Sequence, residues 1–299
     1  MARVACIGAG NVGRAWAVVF ARAGHEVALF DANPAQVTAA LPLIAETMAQ
    51  LGVTGMENII PATSIAEAVT GAVHVQESVR EDLEIKRSVM AEIAIHAPRD
   101  CVIASSTSAL RASTFTTHIT APERAMVAHP VNPPSLIPLV ELCGNGVTAP
   151  EVMAQTRAFM DSLGMKPVTL TREIDGFLLN RLQYTLVAEA LHLVGEGYCT
   201  AEDIDRVMTD GLALRWLSIG PFATAHLNAT EGLKGFVGQL GPMMRRMGED
   251  ARTDYDWPPE LIDRIHDEMA MTFPVADIPT WQAWRDRRIL AARAVQAKD

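Results

Sequence analysis

The residues from Met126 to Leu142, MVAHPVNPPSLIPLVEL, place one histidine and one glutamate on two short apolar runs separated by a proline-rich turn. Pro130, Pro133 and Pro134 forbid helix here, so Met126 to Ala128 and Ile137 to Leu142 read as strands, with His129 at a strand end. If the second run pairs back antiparallel on the first, Glu141 comes within hydrogen-bond reach of one imidazole nitrogen and leaves the other facing a cleft. That layout is a general base with its orienting carboxylate. The competing reading is a histidine that caps a loop and a glutamate on a solvated strand face. The rest of the chain decides between them.

A pair of this kind needs a scaffold and a co-reactant, and the amino-terminal half supplies the signature of both. Arg3 to Gly8 reads as a strand that runs into Gly8-Ala9-Gly10-Asn11-Val12-Gly13 and then into an apolar helix closed by Gly24. In this order Gly8 permits a tight turn and Gly10 lets a pyrophosphate approach the backbone. Gly13 lets helix and strand pack closely, with the helix N-terminus facing the phosphates. The next strand, Glu26 to Phe30, ends in Asp31, at about the 20-residue offset where a carboxylate bonds the adenine ribose hydroxyls. Together these predict a dinucleotide site, and Asp31 favours NAD over NADP because a carboxylate repels a 2′-phosphate. Asp31 could also act as the N-cap of the helix that starts at Pro34.

Further strands are expected at Ala72 to Gln76, Cys101 to Ser105 and Met165 to Leu170, alternating with helices at Pro34 to Leu51, Ile65 to Val69, Glu81 to His96 and Thr148 to Leu163. Glu77, at a strand end, and Lys86, near a helix start, are assigned to the cofactor site, although Lys86 also reads as a solvated or ion-paired surface lysine. The hydroxyl cluster Ser105-Ser106-Thr107-Ser108 follows a strand, where ligands of an open parallel sheet lie. For Ser105 and Ser106, turn and cap hydrogen bonds are the plainer role.

Composition narrows the function. The 299 residues are 49% hydrophobic and 20% charged, with a formal net charge of −10, which describes a globular chain and excludes a phosphate-neutralising nucleic-acid binder. Four cysteines, Cys6, Cys101, Cys143 and Cys199, lack any zinc or disulfide spacing, so reduced packed thiols and no metal are expected. A strand from Arg3 leaves no room for a signal peptide, and no run approaches the ~18 apolar residues of a membrane span. These features predict a cytoplasmic protein with no membrane partner.

After Asp175-Gly176 the strand rhythm disappears. Leu178, Leu182, Leu186 and Ala190 mark one face of a long helix, and Thr200 caps another from Glu202 to Thr209. The expected division is a dinucleotide-binding domain over 1–172 and a helical domain over 173–299, whose apolar residues suit a dimer interface as well as a core.

The stretches IGAGNVGRAWA, VQESVREDLEIK, ASSTSAL, VAHPVNPPSLIPLVEL, IDGFLLNRLQY and DGLALRW resemble the 3-hydroxyacyl-CoA dehydrogenase superfamily, most of all its lambda-crystallin and L-gulonate 3-dehydrogenase branch. The resemblance implies a Rossmann-type doubly wound α/β sheet followed by an all-helical carboxy-terminal dimerisation domain. It implies NAD as cofactor, His129 as catalytic base, Glu141 as its partner, Ser108 as a donor near the substrate oxygen and Asn180 as a second polar contact. Ser135 stands where this branch often carries an aromatic residue, a departure that bears on substrate choice.

The substrate expectation follows from charge. A coenzyme A thioester brings a 3′-phosphate and a pyrophosphate, yet no Lys or Arg lies between Ala23 and Val79, where Asp31, Glu46 and Glu57 make the stretch acidic. A small free L-3-hydroxy acid needs one compact cation, for which Arg181 and Arg215 are candidates, an intrachain ion pair being the other role for each. L-Gulonate is the first expectation, carnitine and short 3-hydroxy acids its rivals, and 3-hydroxyacyl-CoA the runner-up class. A crystallin-like structural protein is the non-enzymatic alternative.

Overall fold

The computed structural model describes residues 1–255 and 257–296, which fold as two compact units, one ending at Asn180 and the other starting at Arg181. The first unit holds one eight-stranded sheet: β1 (Arg3–Ile7), β2 (Glu26–Phe30), β3 (Ile59–Pro61), β4 (His74–Glu77), β5 (Val102–Ser105), β6 (Ala125–Pro130), β7 (Leu139–Gly144) and β8 (Lys166–Leu170). Its order is β3-β2-β1-β4-β5-β6-β7-β8, and every pair is parallel except β6 with β7. Six helices belong to it: α1 (Asn11–Arg22), α2 (Pro34–Leu51), α3 (Ile65–Val69), α4 (Leu83–His96), α5 (Ser113–Thr116) and α6 (Pro150–Ser162).

The sheet is buried on both faces, as parallel strands with crossover helices must be. Strand alternation sorts its side chains into two cores. Val4, Cys6, Met126, Ala128, Val140 and Leu142 point to one core, which also takes Trp16 and Phe20 from α1. Ala5, Ile7, Val127, Cys143, Met90 of α4 and Phe177 form the other. Burying a side chain such as Trp16 or Phe20, both at 0% exposure, stabilises the fold by roughly 1.5–3 kcal/mol each. By the same parity His129 and Glu141 project from the face that carries Phe177.

The three-residue β3 has no signature in the sequence. It is an edge strand that ends in Pro61, too short to show a period, with Ile60 exposed. The cap of α2 also differs from expectation: Asn33, not Asp31, is the N-cap, its side chain accepting from Ala35 N. Asp31 is thereby left to the glycine turn.

Helix α7 (Leu179–Gly195) leads into the second unit, which continues with α8 (Ala201–Arg206), a π-helical turn (Val207–Leu212), α9 (Ala213–Ser218), α10 (Pro221–Leu227), α11 (Gly232–Asp250), α12 (Pro259–Thr272) and α13 (Ile278–Gln296). The expected apolar face of α7 is not a core face. Leu178, Leu182 and Leu186 are exposed, Leu182 to 73%, whereas Ala188, Leu191 and Val194 are buried. Among the described residues the buried apolar side chains of this unit are only Ala188, Leu191, Val194, Ala201 and Leu261. Val187, Ile204, Ile262 and Ile265 pack against this small core while partly exposed. No helix of the described residues is long and apolar enough to cross a membrane.

Candidate active site

Because β1, β4, β5 and β6 are parallel, their carboxyl ends lie along one edge of the sheet, and the strand order reverses between β1 and β4. The glycine turn lies at this reversal. Gly8 has φ +105, a left-handed value that favours glycine, and a Cβ there would lie 2.5 Å from Ser78 O at the end of β4. A Cβ on Gly13 would lie 1.8 Å from Gly8 O, so helix and turn can meet only without one. A Cβ on Gly10 would meet nothing within 4 Å, which leaves open space beside the turn. Helix α1 starts with no side-chain cap and no acidic residue in its first turn. Its exposed amides, including those of Asn11 and Val12, thus suit an anion. Asp31 holds the turn from the other side, Oδ2 accepting from Ala9 N at 2.8 Å and Oδ1 from Asn33 N at 2.9 Å. The open cradle, uncapped helix and carboxylate fit the pyrophosphate and ribose of a dinucleotide.

At the other end of the same edge, His129 and Glu141 are register partners across the antiparallel β6–β7 pair. Directly opposed residues share a face, and here Nδ1 of His129 lies 2.8 Å from Oε2 of Glu141 with both residues buried, at 3% and 1% exposure. Glu141 Oε1 accepts from Leu178 N at 2.8 Å and Leu179 N at 3.0 Å, two amides at the start of α7. A carboxylate in its ionised form can only accept, and Nδ1 is the donor wherever the pair has that form. Among the described residues no hydrogen bond engages Nε2 of His129.

Ser108 and Asn180 are brought together: Asn180 Nδ2 donates to Ser108 O at 2.9 Å. The same turn is held from below by Glu81, whose Oε1 accepts from Ser108 N and Ala109 N, both at 3.1 Å, and from the Thr107 hydroxyl. Burial pushes the Glu81 carboxyl up, but the Thr107 hydroxyl, the Lys86 charge and Ala109 N outweigh it and hold it below the ordinary glutamate range. From the sequence Glu81 reads only as the start of a helix; its place beside the Asp82 N-cap of α4 and ahead of Lys86 is the signal that points to it.

Lys86 corrects the surface reading. It is 1% exposed and donates to both oxygens of fully buried Glu77, at 2.9 and 3.1 Å, with Glu81 Oε2 at 3.4 Å. Glu77 also accepts from Ser105 Oγ at 2.5 Å and Val79 N at 2.6 Å. Its carboxylate therefore braces the strand ends beside the cofactor turn and faces no open space. Ser106 is likewise internal, bonded to Trp16 Nε1, Gln76 Nε2 and Ser78 Oγ. Arg181 and Arg215 lie exposed in the helical unit, and neither side chain makes an ion pair among the described residues, contrary to the ion-pair alternative. No group of three or more His, Cys, Asp or Glu among those residues could hold a metal ion.

Residues 3–174 match the 3-hydroxyacyl-CoA dehydrogenase NAD-binding domain, and residues 176–268 match the 3-hydroxyacyl-CoA dehydrogenase C-terminal domain. The chain belongs to the 3-hydroxyacyl-CoA dehydrogenase family. It is an NAD-dependent oxidoreductase of that family. A lambda-crystallin homolog of Bos taurus is 40% identical over 95% of this chain and 92% of its own length. An L-carnitine dehydrogenase of Oceanobacillus iheyensis is 38% identical over 82% of each chain. Among solved structures, 5-formyl-3-hydroxy-2-methylpyridine 4-carboxylic acid 5-dehydrogenase, an NAD+-dependent dismutase, superposes with a TM-score of 0.86 at 27% identity, covering 99% of this chain and 98% of its own.

Proposed function

We propose that this family member oxidises the 3-hydroxyl of a small free L-3-hydroxy acid, with His129 as general base and Glu141 as its orienting partner. The observation that carries the proposal is the buried 2.8 Å contact between Nδ1 and Oε2, which holds the proton on Nδ1 and keeps Nε2 as an acceptor. Bound NAD supplies the hydride acceptor. Nε2 of His129 takes the substrate hydroxyl proton as the carbon loses its hydride, and Glu141 stabilises the resulting imidazolium. In the reverse direction the imidazolium protonates the forming alkoxide. The Ser108 hydroxyl and the Asn180 amide, whose Nδ2 also donates to the Ser108 backbone carbonyl at 2.9 Å, are the donors proposed for the substrate oxygen, and Arg181 or Arg215 the cation for the carboxylate.

The absence of Lys and Arg from Ala23 to Val79 supports a free acid over a thioester. The resemblance of the sequence motifs to the L-gulonate 3-dehydrogenase branch puts L-gulonate first, and the likeness to an L-carnitine dehydrogenase sets carnitine beside it. The test is a panel of L-gulonate, L-carnitine, 3-hydroxybutyrate and 3-hydroxybutyryl-CoA at equal concentration with NAD, read by NADH absorbance. Preference for one of the free acids is expected, and preference for the thioester would overturn the reading. No NADH from any of the four would favour the crystallin-like alternative.

The helical unit is proposed as a homodimer interface in a cytoplasmic enzyme. Leu182, Tyr184, Leu186, Trp216 and Phe222 are exposed on it, apolar side chains that a second copy would cover. Light scattering at micromolar concentration should give twice the chain mass, and a clean monomer mass refutes the dimer.

A further inference from the structure

We infer that Phe177 is a positioning residue for the His129–Glu141 pair. The inference rests on the acid–base reading above and adds to it the group that sets the imidazole plane. Phe177 is 1% exposed, and its ring stacks on the His129 ring with centroids 5.1 Å apart and planes 30° from parallel. Its backbone has φ +49, following Gly176 at φ +75. A bulky residue in the left-handed region is an outlier that persists only where the surroundings over-determine it.

The rest of the turn shows what fixes it. Phe177 N donates to Ile174 O at 3.2 Å. Asp175 is held by Arg111 through two bonds, at 2.6 and 2.5 Å, and Glu173 Oε1 accepts from Ser113 N at 2.8 Å. The left-handed step at Phe177 then turns the chain so that the next two amides, Leu178 N and Leu179 N, point at Glu141 Oε1. One turn thus touches both members of the pair, the ring on the base and the amides on the carboxylate.

A single hydrogen bond through Nδ1 leaves the imidazole free to swing about that contact, which would sweep Nε2 through a range of directions. The Phe177 face removes that freedom, and the two amides keep Glu141 from following the ring. Nε2 then has one direction before any substrate arrives. Misplacing a reacting group by about 1 Å can reduce rate on the order of 10²-fold.

The experiment compares Phe177→Ala, Phe177→Leu and Phe177→Tyr with wild type and His129→Ala, using protein labelled with ¹⁵N at histidine. Wild-type His129 should show one sharp set of ring signals, protonated at Nδ1, while Phe177→Ala should keep that tautomer and show broadened signals from a ring that changes direction. Turnover of Phe177→Ala on the fastest member of the hydroxy-acid panel should fall about tenfold or more, with KM and the NADH dissociation constant within about twofold, and Phe177→Tyr should restore both turnover and signal. If Phe177→Ala does not fold, Phe177→Leu against Phe177→Tyr decides by the same readouts. An unchanged His129 signal and unchanged turnover per folded site would overturn the inference even if melting temperature drops. Full turnover in His129→Ala would instead remove the acid–base reading itself, so the two failures are distinguishable.

Discussion

Glu141 lies directly opposite His129 at the only antiparallel step of the sheet, and its two oxygens do different jobs: Oε2 meets the imidazole at 2.8 Å while Oε1 accepts two amides from the start of α7. Both residues are buried, so the pair is shielded from competing water.

His129→Ala should lower turnover by on the order of 10²–10⁴-fold, the usual contribution of a positioned acid–base group, while NADH binding followed by fluorescence stays unchanged. Glu141→Gln should lower it by a similar order for a different reason. The amide can still accept from Leu178 N and Leu179 N through its oxygen, but its NH2 donates to Nδ1 and moves the imidazole proton to Nε2, where no base remains. Normal turnover in either variant contradicts the assignment.

Gly10→Ala and Gly13→Ala should separate fold from cofactor. A Cβ on Gly10 meets no protein atom, so its melting temperature should match wild type while NAD affinity falls at least about tenfold, or about 1.4 kcal/mol. A Cβ on Gly13 collides with Gly8 O at 1.8 Å, so that variant should lose about 1–3 kcal/mol of stability as well as NAD binding. Equal NAD affinity in Gly10→Ala and wild type would mean that the open space is not where the cofactor lies.

Asp31 should make NAD bind at least about tenfold tighter than NADP, a difference of about 1.4 kcal/mol. Asp31→Asn removes the charge and one of the two acceptors that Ala9 N and Asn33 N use, so the preference should narrow and the melting temperature should fall with it. Titrating both dinucleotides against both proteins tests this, and indifference to the 2′-phosphate in wild type counts against it.

His74 should make stability fall in mild acid. It is 2% exposed with Nδ1 unpartnered, and burial pushes it down to about 4, the bond to Gln76 opposing only in part. Between about pH 4 and 6.5 the folded protein then binds fewer protons than the unfolded chain, so stability declines as pH falls through that window and is insensitive to His74 above it. At pH 5 the loss is about 2 kcal/mol. Melting temperatures at pH 7.5 and 5 for wild type and His74→Gln should show the smaller drop in the variant, and identical drops would exclude His74 as the cause.

Much of this enzyme could be read from neighbouring residues because the rules involved are local. The spacing of Gly8, Gly10 and Gly13 between a strand and a helix, with Asp31 after the next strand, specifies a dinucleotide turn within about thirty residues of chain. Prolines around His129 exclude helix without reference to anything distant, but only the register that pairs His129 with Glu141 puts the two on one face, since a slip of one residue would turn them to opposite faces. Packing decided the remainder. Lys86 looks like any helix-surface lysine until β4 and β5 place Glu77 beneath it. Phe177 looks like an ordinary core residue until its turn closes on His129. Asn180 meets Ser108 across 72 residues of chain and Leu178 meets Glu141 across 37. The exposed side of α7 has the same apolar period as a buried one. A period records only that a face avoids water, and whether its own chain or another covers that face depends on which surfaces the fold brings together.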